Sequence, residues 1–447
     1  MPKLRVPHPL ALMFGCILLA AALSYVLPAG RYERTDDPVT GRNVVVAGTY
    51  EAVEPSPVNL FDAVVAIPLG LADAASVIFL VFLIGGAFTV VDETGALRQS
   101  VGWLVQRLDQ RELLVIPLVS VVFATGGALE NMQEEIIALI PVLLVLTRRL
   151  GFDALTAVSM SAGAAFVGSA FSPINPFQVG IAQKLAGLPL LSGGLFRTSF
   201  LVIALGLWIA GTMRHAKRSR TAPEAWALDT AEPAGPRSGI VIGLVLLTFA
   251  MLVFGVLRLG WGFDQMSALF FITGILAGLV GRLGVTGTAE AYVKGFRSMA
   301  YAALLIGFAR AIYLVLDQGS IVDTIVHGVF TPIEHLPVAL SALGMVVVHA
   351  GVHVPVPSVS GHAVLTMPVL VPLSDLLGMS RQVTVLAYQY GAGLCDLLTP
   401  TNGALMAILA AGGVRYERWM KFAFPLYLLL VALGSVAILI AIGIGLQ

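Results

Sequence analysis

Three carboxylates, Glu130, Glu134 and Glu135, stand within six residues of one another between two apolar runs, Leu113 to Ala128 and Ile136 to Leu146. Inside a membrane a charge costs roughly 2.5–3.5 kcal/mol on insertion scales, so each must be solvated, paired, protonated or bound to a ligand. Asn131 and Gln133 share this tip. A second cluster, Ser358-Val359-Ser360-Gly361-His362, offers two hydroxyls and a glycine that lets a ligand or ion approach the backbone closely. Its histidine is of the type that titrates near neutral pH. A third feature occurs twice, as Ser172-Pro173-Ile174-Asn175-Pro176 and as Thr399-Pro400-Thr401-Asn402-Gly403. Proline in an apolar run removes a backbone donor and frees the carbonyl four residues earlier, which hydrocarbon cannot satisfy. Each break therefore presents carbonyls, hydroxyls and an Asn amide, and the half-helix after it points N–H groups and a positive dipole end at an anionic group such as a carboxylate. The alternative is structural: a break is the loop between two packed helices, and the acidic tip is a turn wetted at the interface.

The candidate substrate ligands are accordingly Glu130, Asn131, Glu134, Glu135, Asn175, Ser358, Ser360, Gly361, His362, Asn402 and Arg310. Arg310 joins them because it lies mid-run, and Asp317, two turns along, is too distant to pair with it on one helix. Ser172, Thr399, Thr401 and Asp396, which just precedes the second break, are candidates for coupling to sodium or a proton. His349 and His353 have zinc-ligand spacing, but no third ligand accompanies them and no metal site is expected. No nucleophile elbow, HExxH helix or phosphate loop supports an enzyme, so no residue is assigned a catalytic role and no cofactor is expected.

The elements that must position these groups are helices in lipid. Of 447 residues, 57% are hydrophobic and 12% charged, with a mean hydropathy of +0.91, whereas soluble domains are about 25% charged. Lys plus Arg equals Asp plus Glu at 26 each, which leaves no basic excess for nucleic acid. Two cysteines, both in apolar runs, exclude a disulfide scaffold. A crossing needs about 20 apolar residues. Pro9 to Pro28 supplies the first and is too long for the apolar region of a signal peptide. The pattern divides the chain into a first half over 1–213, a cytoplasmic linker over 214–237 and a second half over 238–447. Re-entrant hairpins are expected at 113–149 and 338–377, and broken helices at 154–187 and 383–411. Leu97 to Leu108 reads as an interfacial amphipathic helix, and Gly85-Gly86 as a helix-packing pair. Nine crossings then place the N-terminus in the cytoplasm and the C-terminus outside, with 18 Lys/Arg inside, seven outside and Arg310 within a span, as the positive-inside rule requires.

The sequence also matches itself at an offset of 227 residues. Pro141 falls on Pro368, Gly151 on Gly378, and Ser172-Pro173-Ile174-Asn175 on Thr399-Pro400-Thr401-Asn402. The expected topology runs the two units in opposite directions. Inverted repeats with broken helices are the sequence sign of a secondary transporter, whose similar halves exchange conformations to expose one site to either side.

Several segments carry a family likeness: Tyr25 to Tyr32, Ile84-Gly85-Gly86-Ala87-Phe88, Glu134-Glu135, the first break, Gly307-Phe308-Ala309-Arg310 and Val356 to Gly361. Over nearly the whole length the chain resembles the YfcC-type carriers, which are similar to anaerobic C4-dicarboxylate carriers and to proposed arginine/ornithine antiporters. The resemblance implies an all-α polytopic protein of the bacterial cytoplasmic membrane with an ion-transporter-type fold. A scaffold domain would form a homodimer, and a transport domain of two hairpins and two broken helices would move as an elevator. It implies that Glu134, Asn175, Ser358, Ser360, Thr399 and Asn402 surround substrate and coupling ion. His362 departs from the neutral Gln or Ala expected after the Ser-x-Ser-Gly turn. The function expected is transport of an amino acid, a basic one first, with a C4-dicarboxylate or other small carboxylate, coupled to sodium or protons, as the alternative.

Overall fold

Polar residues open several of the apolar helices. The side chain of Asn59 accepts the Asp62 N–H at 2.9 Å, that of Asp153 accepts the Thr156 N–H at 2.9 Å, and Ser380 caps in the same way through the Gln382 N–H at 3.2 Å. Such side chains satisfy donors that a helix start leaves without an intrahelical partner. The computed structural model describes residues 9–37, 42–46, 48–96, 99, 111–221, 236–259, 261–330 and 336–447. Most of the expected interfacial helix over 97–108, and 222–235 of the linker, lie outside the described residues.

In chain order the helices are α1 (Pro9–Val26), α2 (Leu60–Asp73), α3 (Ala75–Glu93), α4 (Val115–Glu130) and α5 (Glu134–Arg149). Helix α6 (Ala154–Ala170) contains a π-turn at Ser159–Gly163, and α7 (176–185) begins with a second at Pro176–Gly180. There follow α8 (Gly194–Arg218), α9 (Pro236–Leu259), α10 (Phe263–Val280), α11 (Gly284–Gln318) and α12 (Val322–Phe330). The last are α13 (Val338–His353), α14 (Val359–Leu376), α15 (Arg381–Cys395), α16 (Gly403–Ala411) and α17 (Tyr416–Gly443). Among the described residues seven helices are long and apolar enough to cross a bilayer. Leu195, Phe61, Val202 and Phe254 stand exposed on this surface, as side chains facing lipid do.

The helices fall into two sets, which also pack on each other through α11 on α16 and α3 on α5. In the first, α11 lies against α1, α2, α3 and α10. At 35 residues it is about 52 Å long, well beyond the apolar run that marks it in the sequence. Gly295 brings it onto α3, where a Cβ would stand 2.6 Å from the Gly86 Cα. Beside this group are two short antiparallel strand pairs, β1 (Gly30–Arg31) with β4 (Glu51–Ala52) and β2 (Arg34–Asp37) with β3 (Arg42–Val45). Tyr32 N–H and Arg34 both bond Asp323, at 2.9 and 2.8 Å, and tie the strands to α12.

The second set holds α4 to α8 and α13 to α17 with both breaks. The helix ahead of each break is packed by one earlier helix, α6 by α4 and α15 by α13. The 227-residue offset recurs in the elements: α6 and α15 begin that far apart, as do α7 and α16, and α5 and α14 end that far apart. Carbonyls at the π-turn and at the breaks accept from side-chain donors, Ser159 O in addition to the Ala164 N–H of its own helix. Trp208 Nε1 donates to Ser159 O at 2.8 Å, Gln389 Nε2 to Ser172 O at 2.6 Å and Trp419 Nε1 to Leu397 O at 2.7 Å.

Asp153 carries more than a cap. Partial burial raises its carboxyl, but hydrogen bonds from His215 and Thr156 outweigh that and hold it at about 2 against an ordinary 3.8. Arg418 adds an ion pair at 2.7 Å. A depressed carboxyl contributes stability above its unfolded value and loses it as pH falls through the folded one, here between about pH 4 and 2. Asp153→Asn keeps a capping oxygen and removes the charge. It should cost roughly 1 kcal/mol near neutral pH after allowance for solvent screening, seen as a lower thermal midpoint in detergent. The gap to the wild type should narrow as pH falls from about 4 toward 2, and a gap independent of pH would contradict the assignment.

Candidate functional site

A cavity of about 680 Å³ opens where the two groups meet. One wall is the acidic tip and two helix starts: Gln133 and Glu134, Ser358 and Gly361 at the head of α14, and Thr401 to Ala404 at the second break and the head of α16. The facing wall is the α2–α3 junction and α11, with Asp73, Ser76, Arg310 and Tyr313, and Arg34 and Val45 of the β2–β3 pair also line it. Gly403 permits the approach of α16 to α11, since a Cβ there would sit 3.0 Å from the Ile306 Cα.

Behind the first wall runs a buried polar network. Asp396 accepts from His353 Nε2 at 2.8 Å, Asn402 Nδ2 at 2.7 Å and Gln133 Nε2 at 2.9 Å. Gln133 also reaches Asn131 at 3.4 Å, and Asn131 accepts from Ser169 at 2.5 Å. Ser169 bonds Gln178 Oε1 at 2.9 Å, Gln178 donates to Gln389 O at 3.1 Å, and Gln389 Oε1 accepts from Arg197 Nε at 3.0 Å. Each buried group thus meets a partner from another element, as a polar chain in a low-dielectric interior requires.

The candidates from the sequence divide by position. Glu134, Ser358, Gly361, Asn402, Thr401 and Arg310 form the cavity wall. Arg310 finds its carboxylate in Asp73, and its guanidinium lies 5.0 Å from the centre of the Tyr313 ring. Asn131 and Asp396 belong to the network behind. Asn175 is buried, capping α7 and donating to Gly127 O at 2.8 Å, and Ser172 donates to Ala128 O at 2.7 Å. Glu135, Ser360 and the buried Thr399 are not part of the wall. His362 is buried and pairs with His349 at 2.8 Å rather than facing the cavity. The side chain of Glu130 lies outside the described residues.

Sequence reasoning missed several members of this site. It singles out none of Asp73, Ser169, Gln178, Gln389 and Arg197, and it weighs His353 only as a zinc ligand. Arg197 is wholly buried, with its donors met by Ser192 O at 2.7 Å and by Gln382 and Gln389 side chains at 2.9 and 3.0 Å. The signal was present for Ser169, which stands 227 residues before Asp396.

The chain is similar to several known proteins. The family profile of the C4-dicarboxylate anaerobic carriers, DcuC, matches residues 6–443. A protein of Escherichia coli described as "Putative basic amino acid antiporter YfcC" is 31% identical, with 97% of this chain and 96% of that protein covered. An uncharacterized protein of Haemophilus influenzae is 28% identical over 98% of this chain and 97% of its own length. Among solved structures, the YdaH transporter of Alcanivorax borkumensis matches with a TM-score of 0.46 at 17% identity, covering 98% of this chain and 99% of that one. MtrF of Neisseria gonorrhoeae gives 0.42 at 16% identity, covering 98% and 96%.

Asn402 joins the wall, the network and a helix cap, since its Oδ1 accepts the Leu405 N–H at 3.0 Å. Asn402→Ala should cost about 1–3 kcal/mol through the lost cap and the weakened shell of Asp396. Asn402→Asp should cost more, because it sets a second carboxylate against the first. Thermal midpoints in detergent check both, and two unchanged midpoints would remove the network from the account.

Proposed function

The chain belongs to the family of C4-dicarboxylate anaerobic carriers, a family of membrane transporters, and on that premise we propose that it is a secondary active transporter that moves an amino acid, a basic one such as arginine or ornithine. The observation that carries this reading is the pairing of opposite chemistries across one cavity. The Glu134 carboxylate lies on one wall and Arg310 on the other, with the first turns of α14 and α16 beside Glu134. An ammonium or guanidinium group suits Glu134. A carboxylate suits helix starts and Arg310. The volume, about 680 Å³, lies within the usual range of small-molecule sites. The name borne by the E. coli relative supports the same substrate class.

The coincidence of element boundaries at the 227-residue offset supports an internal repeat, and if the two units run in opposite directions, as the charge distribution suggests, such a repeat supports alternating access. On this reading α4 to α8 and α13 to α17 form the moving body, and α1 to α3 with α9 to α12 form the scaffold through which two copies associate. With the N-terminus in the cytoplasm of a bacterial inner-membrane protein and the C-terminus outside, the β2–β3 pair lies outside. The cavity, which that pair lines, is then outward-facing.

A second reading has its own support: Arg310 in the wall and the description of the family itself suit a C4-dicarboxylate or another small carboxylate, driven by sodium or protons. The two separate in liposomes loaded with unlabelled arginine, ornithine, succinate or buffer and given labelled arginine or succinate. The amino-acid reading predicts uptake of labelled arginine. Glu134→Gln should weaken arginine half-saturation about 10- to 100-fold, the worth of one charge-assisted hydrogen bond. Succinate uptake that survives Glu134→Gln and is lost in Arg310→Gln would favour the carboxylate reading, and a chemically altered product would contradict transport altogether.

A further inference from the structure

We propose that the buried His353–Asp396 pair is a proton-binding site wired to the cavity through Gln133 and Asn402, so that the ion exchanged with substrate is a proton; this rests on the transporter reading above. Both carboxylate oxygens of Asp396 face N–H donors. Oδ1 accepts from His353 Nε2 at 2.8 Å and Asn402 Nδ2 at 2.7 Å, and Oδ2 from Gln133 Nε2 at 2.9 Å. N–H donors thus take three of the roughly four lone-pair sites of this carboxylate, which leaves little of it for a sodium ion, whose shell is made of oxygens. Among the described residues its one ion-pair partner is His353, so no Lys or Arg supplies a compensating charge there.

The imidazole shows where a proton would go. An ionised carboxylate can only accept, so Nε2 of His353 carries the hydrogen and Nδ1 of the neutral ring is left with a lone pair. That Nδ1 is buried and has no hydrogen-bond partner, and in a wholly buried side chain an orphan acceptor calls for an explanation. One proton on Nδ1 takes the pair from net −1 to neutral, and no other bond changes. A cation arriving beside Glu134 draws on the same negative field, and Gln133 and Asn402 are both wall and ligand. Proton and cationic substrate therefore compete.

The repeat argues that the pair is more than a framework device. At the 227-residue offset Ser169 stands for Asp396 and Gly126 for His353. Asn175 donates to Ser169 at 3.3 Å as Asn402 donates to Asp396. The first unit keeps that Asn contact with a neutral partner, so the ionisable pair is an addition to the second.

Other titratable groups face this pair. Glu134 and Glu135 come from α5, His349 from the same helix as His353, and His362 from α14 with its ring centre 5.7 Å from that of His353. Tyr388 on α15 lies 5.7 Å from the His362 ring, and Cys395, next to Asp396, contacts Tyr427 of α17 at 3.6 Å. The test must therefore resolve one proton among several groups.

The full chain reconstituted in liposomes is titrated across the pH range in which it stays folded, with protons counted against a dye and imidazole and carboxyl bands followed by infrared difference spectroscopy. His353→Gln should bind about one proton fewer than the wild type over that range. Asp396→Asn, which keeps an oxygen acceptor in place, provides the same test if the histidine variant does not fold. An undiminished proton count with unchanged imidazole bands in the folded variants overturns the proposal. A second measurement uses liposomes containing a pH dye, with arginine and succinate as probes. Internal pH should change on uptake in the wild type and not in His353→Gln. Uptake by the wild type without proton movement, driven by sodium, overturns this proposal and leaves the transporter reading standing. A proton count lowered in His353→Gln, together with a wild type that transports neither probe, supports the proton site and counts against the substrate classes proposed above.

Discussion

A carboxylate withdrawn from water must be met by donors, and Asp396 is met by three that come from three separate elements: the end of α13, the tip between α4 and α5, and the head of α16. Those three bonds hold an acidic hairpin tip against a broken helix at a place where hydrocarbon offers neither any partner. The same constraint explains the aromatic and amide side chains around the breaks. Trp208, Trp419 and Gln389 each donate to a carbonyl at the π-turn or at a break. Irregular backbone is affordable at this depth because side chains complete it.

The cavity inherits its shape from that arrangement. Because α14 and α16 both start at the same level as the acidic tip, their first turns and Glu134 fall on one wall. The opposite wall belongs to the other helix group and carries the Arg310–Asp73 pair, which is half-exposed and contributes little to stability by itself. On the reading proposed above, a site of mixed charge lined by both sets of helices suits a solute that carries both signs.

Much of this is legible in the sequence, for local reasons. Pro173 and Pro400 announce the breaks because proline cannot complete a helix ladder, and α6 ends at Ala170 and α15 at Cys395, just ahead of them. Glu134 is legible because a carboxylate between apolar arms demands a reason. The rest depends on contacts that no local pattern encodes. Gln133 and Asp396 are 263 residues apart, and Arg310 and Asp73 are 237 apart. Arg197 reads as an exterior loop charge until α8, beginning at Gly194, turns it inward onto Gln382 and Gln389. His362 illustrates the opposite error of position, for its spacing from Ser358 gives no sign that it packs on His349 instead of the cavity.

Alternating exposure of the wall formed by Ser358, Glu134 and Asn402 is the central claim, and side-specific labelling tests it directly. Ser358→Cys, in a chain whose Cys16 and Cys395 are replaced, would be treated with a membrane-impermeant maleimide in right-side-out and inside-out vesicles, with and without arginine. The account predicts labelling from both faces and slower labelling from each when arginine is present. Labelling confined to one face under every condition would contradict it.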